Sequence, residues 1–306
     1  MFPKVIYSYN NKIDNVENTI NKTIYLTYKK EVPDIVLSRW KELNKDYNIE
    51  LSLDIDCINF LEKYFNNYIV DLFKKIPVGM YKADLWRLCK LYVHGGVYAD
   101  IDLVPHISID TLDKNVTFYS CLSVDDNYIF QAFMVNFSYP KNPLILHFLI
   151  SFLLNNPQNN NNGPCADMYN CIKHNLNGIN IQPNIKYEIE EIMIPINIGS
   201  SNTNIKHINL YYFPNYIKYH IKLNKSIYND TFSFDIIDNI LIVTRIDANS
   251  GWGHNHSCNI CIKSKETIFL FKEKIDNNNF VTAYVSHNNT KILDSRDMNY
   301  YYNKGW

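Results

Sequence analysis

The pattern of apolar and polar positions predicts alternating strands and helices in the first part of the chain. Residues 23 to 28 are β-branched or aromatic and predict a strand, although residues 2 to 6 could equally be the first one. From Pro33 apolar side chains recur at helical spacing, and from residue 47 to 53 they alternate with a period of two. A second helical pattern covers residues 58 to 65. Strands and helices that alternate at these lengths indicate βαβ units and a largely parallel sheet.

Residues 80 to 105 carry the most informative pattern. Residues 83 to 92 predict an amphipathic helix. Gly95 and Gly96 end this helix, because glycine tolerates the left-handed backbone that closes a helix and turns the chain. The short strand that follows delivers Asp100 and Asp102 at its carboxyl end. In an open α/β sheet, that edge is where ligands bind.

The later part of the chain shows weaker patterns, with neither an internal repeat nor a clear linker between domains. The predicted elements are, in chain order, strands at 115–122 and 129–136, a helix from Pro143, an Asn-rich surface loop at 155–162, a helix near 166–173 after Gly163 and Pro164, strands at 192–198 and 208–213, and a hairpin plus a final strand from Thr267.

The composition excludes several classes of protein. Hydrophobic residues make up 46% and charged residues 20% of the 306 residues, which is typical of a packed globular protein and not of a disordered chain. The 30 basic and 31 acidic side chains leave a net charge of -1. This balance gives no electrostatic reason to expect nucleic acid or an anionic membrane as a partner.

We expect a cytoplasmic location without a membrane span. The first residues lack the basic head and apolar stretch of a secretory signal. The longest apolar run, residues 143 to 154, is shorter than the roughly 20 residues of a bilayer span and predicts a buried helix. Seven scattered cysteines suit a reducing compartment better than a disulfide framework.

Two Asp-x-Asp sequences are candidates for a metal site. Side chains at i and i+2 lie on one face of a strand, so such a pair becomes a candidate metal site where the strand ends and both carboxylates reach an accessible edge. Asp100 and Asp102 stand at such a point, and carboxylate oxygens suit Mg²⁺ or Mn²⁺ with substrate phosphates. Asp54 and Asp56 precede a predicted helix instead, where aspartates cap free amides and favour the helix dipole.

The residues before Asp100 separate this pair from a chance match. They read Asp84-Leu85-Trp86-Arg87, Leu91-Tyr92, Gly95-Gly96, Val97-Tyr98 and Asp100-Ile101-Asp102. This string resembles glycosyltransferase family 32, the Asp-x-Asp sugar transferases, and the similarity is dense over residues 20 to 105. The resemblance implies an α/β fold of the GT-A type, a single Rossmann-like domain over residues 1–306 with a mixed, mostly parallel sheet flanked by helices. The nucleotide and metal half would cover about 1–105, and the acceptor half with a closing tail about 106–306.

The resemblance also implies roles for the four charged residues of the string. Asp102 would coordinate the metal, and Asp100 would contact the ribose or the metal through water. Asp84 and Arg87 would hold hydroxyls of the donor sugar. An ion pair at i and i+3 on a helix surface is the alternative for Asp84 and Arg87.

Five further residues are candidates for donor or acceptor contacts. Tyr25, Thr27 and Tyr98 would bind the nucleotide part of the donor, and as ordinary strand residues they would need no function. Gln131 ends a strand where related folds place an amide near the transferred sugar, and Asp167 could face the acceptor. A Gln at the edge of the core and an Asp at a helix start are the alternatives for the last two.

The segment from Ser250 to His256 supplies candidates for a late third metal ligand. His254 is the first choice and His256 the second, while Trp252 could stack on a sugar ring. The same stretch admits another interpretation. His254, His256, Cys258 and Cys261 form H-x-H-x-C-x-x-C, which could bind a structural zinc ion.

The expected function is that of a metal-dependent, retaining glycosyltransferase using Mn²⁺ or Mg²⁺. It would transfer a hexose from a nucleotide diphosphate sugar to a hydroxyl of a glycan or glycoprotein. UDP-hexose is the favoured donor and GDP-mannose the second choice. The protein could also form a homodimer. A haloacid-dehalogenase-like phosphatase with Asp100 as nucleophile is an alternative, but its downstream acidic cluster is missing because Asp125 and Asp126 lack the spacing. A sugar-binding module without catalysis is the other alternative.

Overall fold

The computed structural model describes residues 20–65, 67–138, 142–155, 163–198, 207–208, 219–223, 232–237, 240–245, 256–276, 278 and 281–296. Its first elements are β1 (Thr23–Thr27), α1 (Asp34–Leu43), β2 (Asn48–Ser52), α2 (Asp54–Tyr64), α3 (Asn67–Lys75), α4 (Gly79–His94), β3 (Gly96–Ala99) and β4 (Leu103–Pro105). The predicted succession of strands and helices is confirmed here. Residues 2 to 6, the alternative first strand, lie outside the described residues.

The later elements begin with a short 3₁₀ helix. They are the 3₁₀ turn Ile109–Thr111, β5 (Phe118–Leu122), β6 (Ile129–Asn136), α5 (Pro143–Asn155), α6 (Gly163–Asn175), β7 (Lys186–Ile198), β8 (His207–Ile208), β9 (Tyr219–Leu223), β10 (Phe232–Ile237), β11 (Ile240–Arg245), β12 (His256–Ile275), β13 (Val281–His287) and β14 (Thr290–Arg296). The predicted strand at 129–136, the helices after Pro143 and Gly163, and the late hairpin are confirmed. Residues 156–162 and 209–213 lie outside the described part.

The strands form a mixed sheet, and the predicted α/β class is confirmed. Its order is β2-β1-β3-β6-β5-β12-β13-β14-β4, with β7 and β9 also paired to β12. Strand β1 pairs in parallel with β2 and β3, and β5 pairs in parallel with β12. The other pairings of this sheet are antiparallel. The sheet is therefore mixed but not mostly parallel as expected, because the parallel βαβ arrangement is confined to β1, β2 and β3, and of the later strands only β5 and β12 pair in parallel. Strands β8, β10 and β11 form a second, three-stranded sheet.

The core lies on both faces of the large sheet. Alternate residues of β1 divide between the faces, since Ile24 and Leu26 pack with Trp40 of α1 while Tyr25 packs with Trp86 of α4. Helices α2 to α6 contribute buried residues to the cluster that contains Tyr25. Parallel strands covered by helices on both faces are typical of α/β proteins. This arrangement leaves the carboxyl ends of β1, β2 and β3 at one edge.

Two glycines connect α4 to β3 without a loop. Gly95 caps α4 with a φ of 67°, and Gly96 begins β3 with a φ of 92°. A Cβ atom on Gly96 would lie 2.8 Å from the carbonyl oxygen of Thr23 in β1. Only glycine allows this approach. The two elements that carry the candidate site are therefore joined directly.

Helix α5 is buried as predicted, with Leu144, Leu149 and their neighbours inaccessible to solvent. Within the described residues, no helix combines the length and apolar character needed to cross a membrane. The six cysteines whose side chains are described form no disulfide bond with one another.

Candidate functional site

A cavity of about 390 Å³ opens at the carboxyl ends of β1 and β3, beside the first turns of α4. Its described lining combines carboxylates, cationic groups and aromatic rings. The lining residues are Thr27, Tyr28, Lys29, Asp54, Phe73, Gly79, Met80, Lys82, Ala83, Trp86, Arg87, Tyr98, Asp100, Ile101 and Asp102.

Asp100 and Asp102 reach this cavity because the chain turns directly after β3. The backbone N–H of Asp100 donates to the carbonyl oxygen of Ala132 at 2.8 Å, which is the last contact that ties this end of β3 to β6. The N–H of Leu103 then donates back to the carbonyl oxygen of Asp100 at 3.1 Å and closes a turn. Both carboxylates line the cavity as a result.

Arg87 of α4 lies behind the two carboxylates. Its guanidinium contacts Asp84 Oδ1 at 3.0 Å and Asp100 Oδ1 at 3.4 Å. It also donates to the backbone oxygens of Ala83 at 3.2 Å and Gln131 at 2.6 Å. The side chains of Arg87 and Asp84 are only 4% and 11% exposed, so this pair is not the surface ion pair that its spacing alone would allow.

The electrostatics of the site leave negative charge uncompensated. Burial, reinforced by the nearby Asp100 carboxylate, raises the pKa of Asp102 to about 7. Burial also raises the pKa of Asp84 to about 6, against the influence of Arg87. Among the described residues, no lysine or arginine forms a salt bridge with Asp102. Asp100 and Asp102 are adjacent carboxylates of which only Asp100 contacts Arg87, and this is a setting in which a bound cation is favoured.

Strand β14 supports Asp102 from the far end of the chain. The N–H of Arg296 donates to the backbone oxygen of Asp102 at 3.2 Å, and the side chain of Ser295 hydrogen-bonds the Asp102 carboxylate. These contacts follow from the antiparallel pairing of β14 with β4. The sequence offered no local signal for Ser295, because the two strands are separated by most of the chain.

The structure brings two of the three predicted strand contacts to the cavity. Tyr98 lines it, donates from its hydroxyl to Asp100 Oδ1 at 2.6 Å, and lies under the Arg87 guanidinium at 4.4 Å. Burial raises the pKa of Tyr98 well above its usual range, so the hydroxyl remains a donor. Thr27 lines the cavity at the end of β1, although its hydroxyl donates to the Ser52 carbonyl at 2.9 Å. Tyr25 is 3% exposed, in the middle of β1, and belongs to the core.

Gln131 and Asp167 are not among the residues that line the cavity. Gln131 lies within β6, 3% exposed, and is tied to the site through its backbone contact with Arg87. Neither polar atom of its side chain has a hydrogen-bond partner within the described structure. Asp167 lies in the first turns of α6. Cys165 of the same helix is closer to the site, because its thiol hydrogen-bonds the Gln131 backbone and interacts electrostatically with Asp84 and Arg87.

Sequence reasoning missed several residues of the cavity wall. Lys82 and Trp86 line the cavity beside Arg87, and their i, i+4 spacing on α4 places the two on one face of that helix. Lys29 follows the end of β1, and Asp54 follows the end of β2. Since β1 and β2 are parallel neighbours, a position just after each strand indicates the same edge.

The late metal-ligand candidates cannot be compared with this geometry. His254 and Trp252 lie outside the described residues, and His256 and Cys258 are described only by their backbone in β12. Cys261 is buried in β12 and is not part of a disulfide bond. Among the described residues, no group of three or more His, Cys, Asp or Glu side chains is arranged to hold a metal ion. The zinc interpretation therefore stays a prediction.

Residues 19–119 match a family model described as a glycosyltransferase sugar-binding region containing a DXD motif. The match covers less than half of the 306 residues and includes Asp84, Arg87, Asp100 and Asp102. A solved structure titled PaToxG Glycosyltransferase is similar, with a TM-score of 0.41 and 16% sequence identity over 52% of this chain and 70% of that one. No curated protein matches the chain. The chain thus contains a region similar to the DXD sugar-binding regions of glycosyltransferases.

Proposed function

We propose that this protein is a metal-dependent glycosyltransferase of the family 32 type. It transfers a hexose from a nucleotide diphosphate sugar, with UDP-hexose favoured over GDP-mannose, to a hydroxyl of a glycan or glycoprotein. The observation that carries the proposal is the pair Asp100 and Asp102 in the wall of a cavity, backed by the buried Asp84 and Arg87. The proposal treats residues 1–306 as one domain of the GT-A type.

The donor set of the site fits a hard divalent cation. Asp100 and Asp102 offer carboxylate oxygens on an open cavity wall, and the hydrogen bond from Tyr98 and the contact with Arg87 both involve Asp100 Oδ1. Mn²⁺ and Mg²⁺ take such oxygens and keep coordination positions for substrate phosphates. When bound, the ion would supply Lewis-acid stabilisation of the departing diphosphate. His254, with His256 as second choice, is the proposed late ligand.

The buried residues orient the donor. Arg87 fixes Asp84 and Asp100 relative to each other through its contacts with both carboxylates. We assign Asp84 and Arg87 to the sugar hydroxyls and Tyr98 and Thr27 to the nucleotide side of the cavity. Trp86 adds a buried indole N–H that has no acceptor within the described structure, which suits an oxygen of the donor.

We favour attack by the acceptor hydroxyl from the face that the diphosphate leaves. The new bond forms between the acceptor oxygen and the anomeric carbon, and the bond from that carbon to the diphosphate oxygen breaks. The departing diphosphate oxygen keeps the electron pair and takes the acceptor proton, so the configuration is retained. Gln131, whose side-chain amide is buried without a partner in the described structure, would lie near the transferred sugar, and Asp167 would face the acceptor.

Nucleotide release from a panel of UDP- and GDP-sugars with Mn²⁺ tests the proposal. We expect release with at least one donor, and a loss of at least about a hundredfold for Asp102→Asn, because removing a charged group that stabilises the transition state costs several kcal/mol. The matched control is Asp71→Asn, a change to an exposed aspartate of α3. This variant should release nucleotide at the wild-type rate.

Phosphate release and sugar-nucleotide binding, measured beside nucleotide release, separate the alternatives. Release of inorganic phosphate from phosphate esters, without nucleotide release, would indicate a phosphatase acting through Asp100. Binding of a sugar nucleotide without turnover of any donor would indicate a sugar-binding module. Equal rates for the wild type and Asp102→Asn would overturn the proposed site.

A further inference from the structure

The charges around the cavity single out one lysine. The described lining contains three carboxylates, Asp54, Asp100 and Asp102, and three cationic groups, Lys29, Lys82 and Arg87. An incoming diphosphate needs a cationic group that can turn towards it. Arg87 is held by two carboxylates and two backbone oxygens, so it has little freedom to do so.

Lys82 lines the same cavity as Arg87 and is held by fewer contacts. It lies in the first turn of α4, its side chain is 23% exposed, and its ammonium group is 5.2 Å from the centre of the Phe73 ring. Gly79, which begins α4, also lines the cavity, so the positive end of the helix dipole lies at the same wall. Lys29 is more exposed, and its ammonium lies 6.0 Å from the ring of Tyr28.

The partner of Lys82 can release it at little cost. Lys82 Nζ lies 3.1 Å from Asp54 Oδ2, and the Asp54 side chain is 54% exposed. An ion pair this accessible to water contributes little to stability. Asp54 is the first residue of α2, where the helix dipole stabilises its carboxylate even without a lysine.

We propose that Lys82 binds the diphosphate of the donor and that Asp54 holds Lys82 in place until the diphosphate arrives. The inference rests on the proposed function, because it assigns a residue to the same donor. When the bond to the sugar breaks, its electron pair remains on the diphosphate. The negative charge that Lys82 faces therefore increases during the reaction.

Titration calorimetry of the full chain with UDP and with GDP, each in the presence of Mn²⁺, tests this exchange. Lys82→Met should weaken binding about tenfold, since a charge-assisted contact is lost. Asp54→Asn should strengthen binding about threefold, because the competing carboxylate is gone. The double variant should bind like Lys82→Met alone. A gain in affinity in Asp54→Asn cannot arise from misfolding. Lys82→Arg, which keeps the positive charge, should retain most of the affinity.

Lys74→Met provides the matched control. Lys74 forms a similar ion pair with Glu62 of α2 at 3.0 Å, but it does not line the cavity. This variant should bind like the wild type. Unchanged affinity in both Lys82→Met and Asp54→Asn, while Asp102→Asn abolishes binding, would overturn the role of Lys82 and leave the proposed function intact. Absence of nucleotide binding by the wild type would overturn both.

Discussion

The tripeptide Asp-Ile-Asp occurs twice in this chain, at residues 54–56 and at 100–102, and the two copies have different environments. In the first copy all three residues are exposed, and Asp56 Oδ2 accepts a hydrogen bond from the N–H of Leu53 at 2.9 Å at the start of α2. In the second copy, Asp100 contacts the buried Arg87, and Ile101 is buried. The same three residues therefore act as a helix cap in one place and as a candidate cation site in the other.

The difference comes from what the backbone does next. After β2 the chain enters a helix, whose free N–H groups and dipole stabilise the aspartates. After β3 the chain makes a turn and enters β4, so the carboxylates of Asp100 and Asp102 receive no such help. Both copies still reach one cavity, because β2 and β3 flank β1 in parallel and their carboxyl ends share an edge. Asp54 can thus take part in the site without belonging to the cation pair.

Among substitutions near the two Asp-Ile-Asp copies, removal of the buried Arg87 should lower the free energy of unfolding most. Arg87→Met leaves the buried Asp84 carboxylate without its partner, so we expect a loss of about 3–5 kcal/mol in the free energy of unfolding. The control is Arg39→Met, because Arg39 forms an ion pair with Glu42 at the same i, i+3 spacing but on the surface. It should lose less than about 0.5 kcal/mol. Urea denaturation measures both, and equal losses would contradict the buried role of Arg87.

The sequence predicted those parts of the site that depend on local patterns. The helix before Gly95, the short strand after it and the position of Asp100 and Asp102 all follow from consecutive residues. The role of Asp54 and Asp56 at a helix start was predicted in the same way, and the bond from Leu53 to Asp56 confirms it. Local patterns suffice here because capping and strand termination involve neighbours in the chain.

The rest of the site depends on contacts between distant segments. Ser295 reaches Asp102 because it pairs with Leu103 across β14 and β4, and no pattern near either residue encodes that register. Cys165 reaches the site through the packing of α6 against β6. Tyr25, the other strand candidate, does not line the cavity, and the reason is local. Strand β1 continues to Thr27, so Tyr25 is two residues short of the edge and its ring enters the core.

The pH dependence of the free energy of unfolding tests the buried Asp84, and the expected effect is smaller than that of Arg87→Met. The pKa of Asp84 is raised from its usual 3.8 to about 6, mainly by burial, so the folded state keeps a proton that the unfolded state loses. The stability that this proton contributes is complete below about pH 4 and is lost as the pH rises through about 6. Relative to Asp84→Asn, the wild type should gain about 1 kcal/mol between pH 7 and pH 5. Urea denaturation in metal-free buffer measures this difference, and a constant gap between the two proteins would contradict it.

Asp56→Ala has the smallest expected effect and tests the first Asp-Ile-Asp copy. The change removes an exposed capping bond to Leu53, so the free energy of unfolding should fall by about 0.5–1 kcal/mol. Nucleotide release should be unaffected, because Asp56 does not line the cavity. Thermal denaturation and the donor assay, run on the same preparation, separate the two effects. Suppose that Asp56→Ala lowered nucleotide release as much as Asp102→Asn does. The first Asp-Ile-Asp copy would then be part of the catalytic site, and its position at the start of a helix could not explain why the two copies differ.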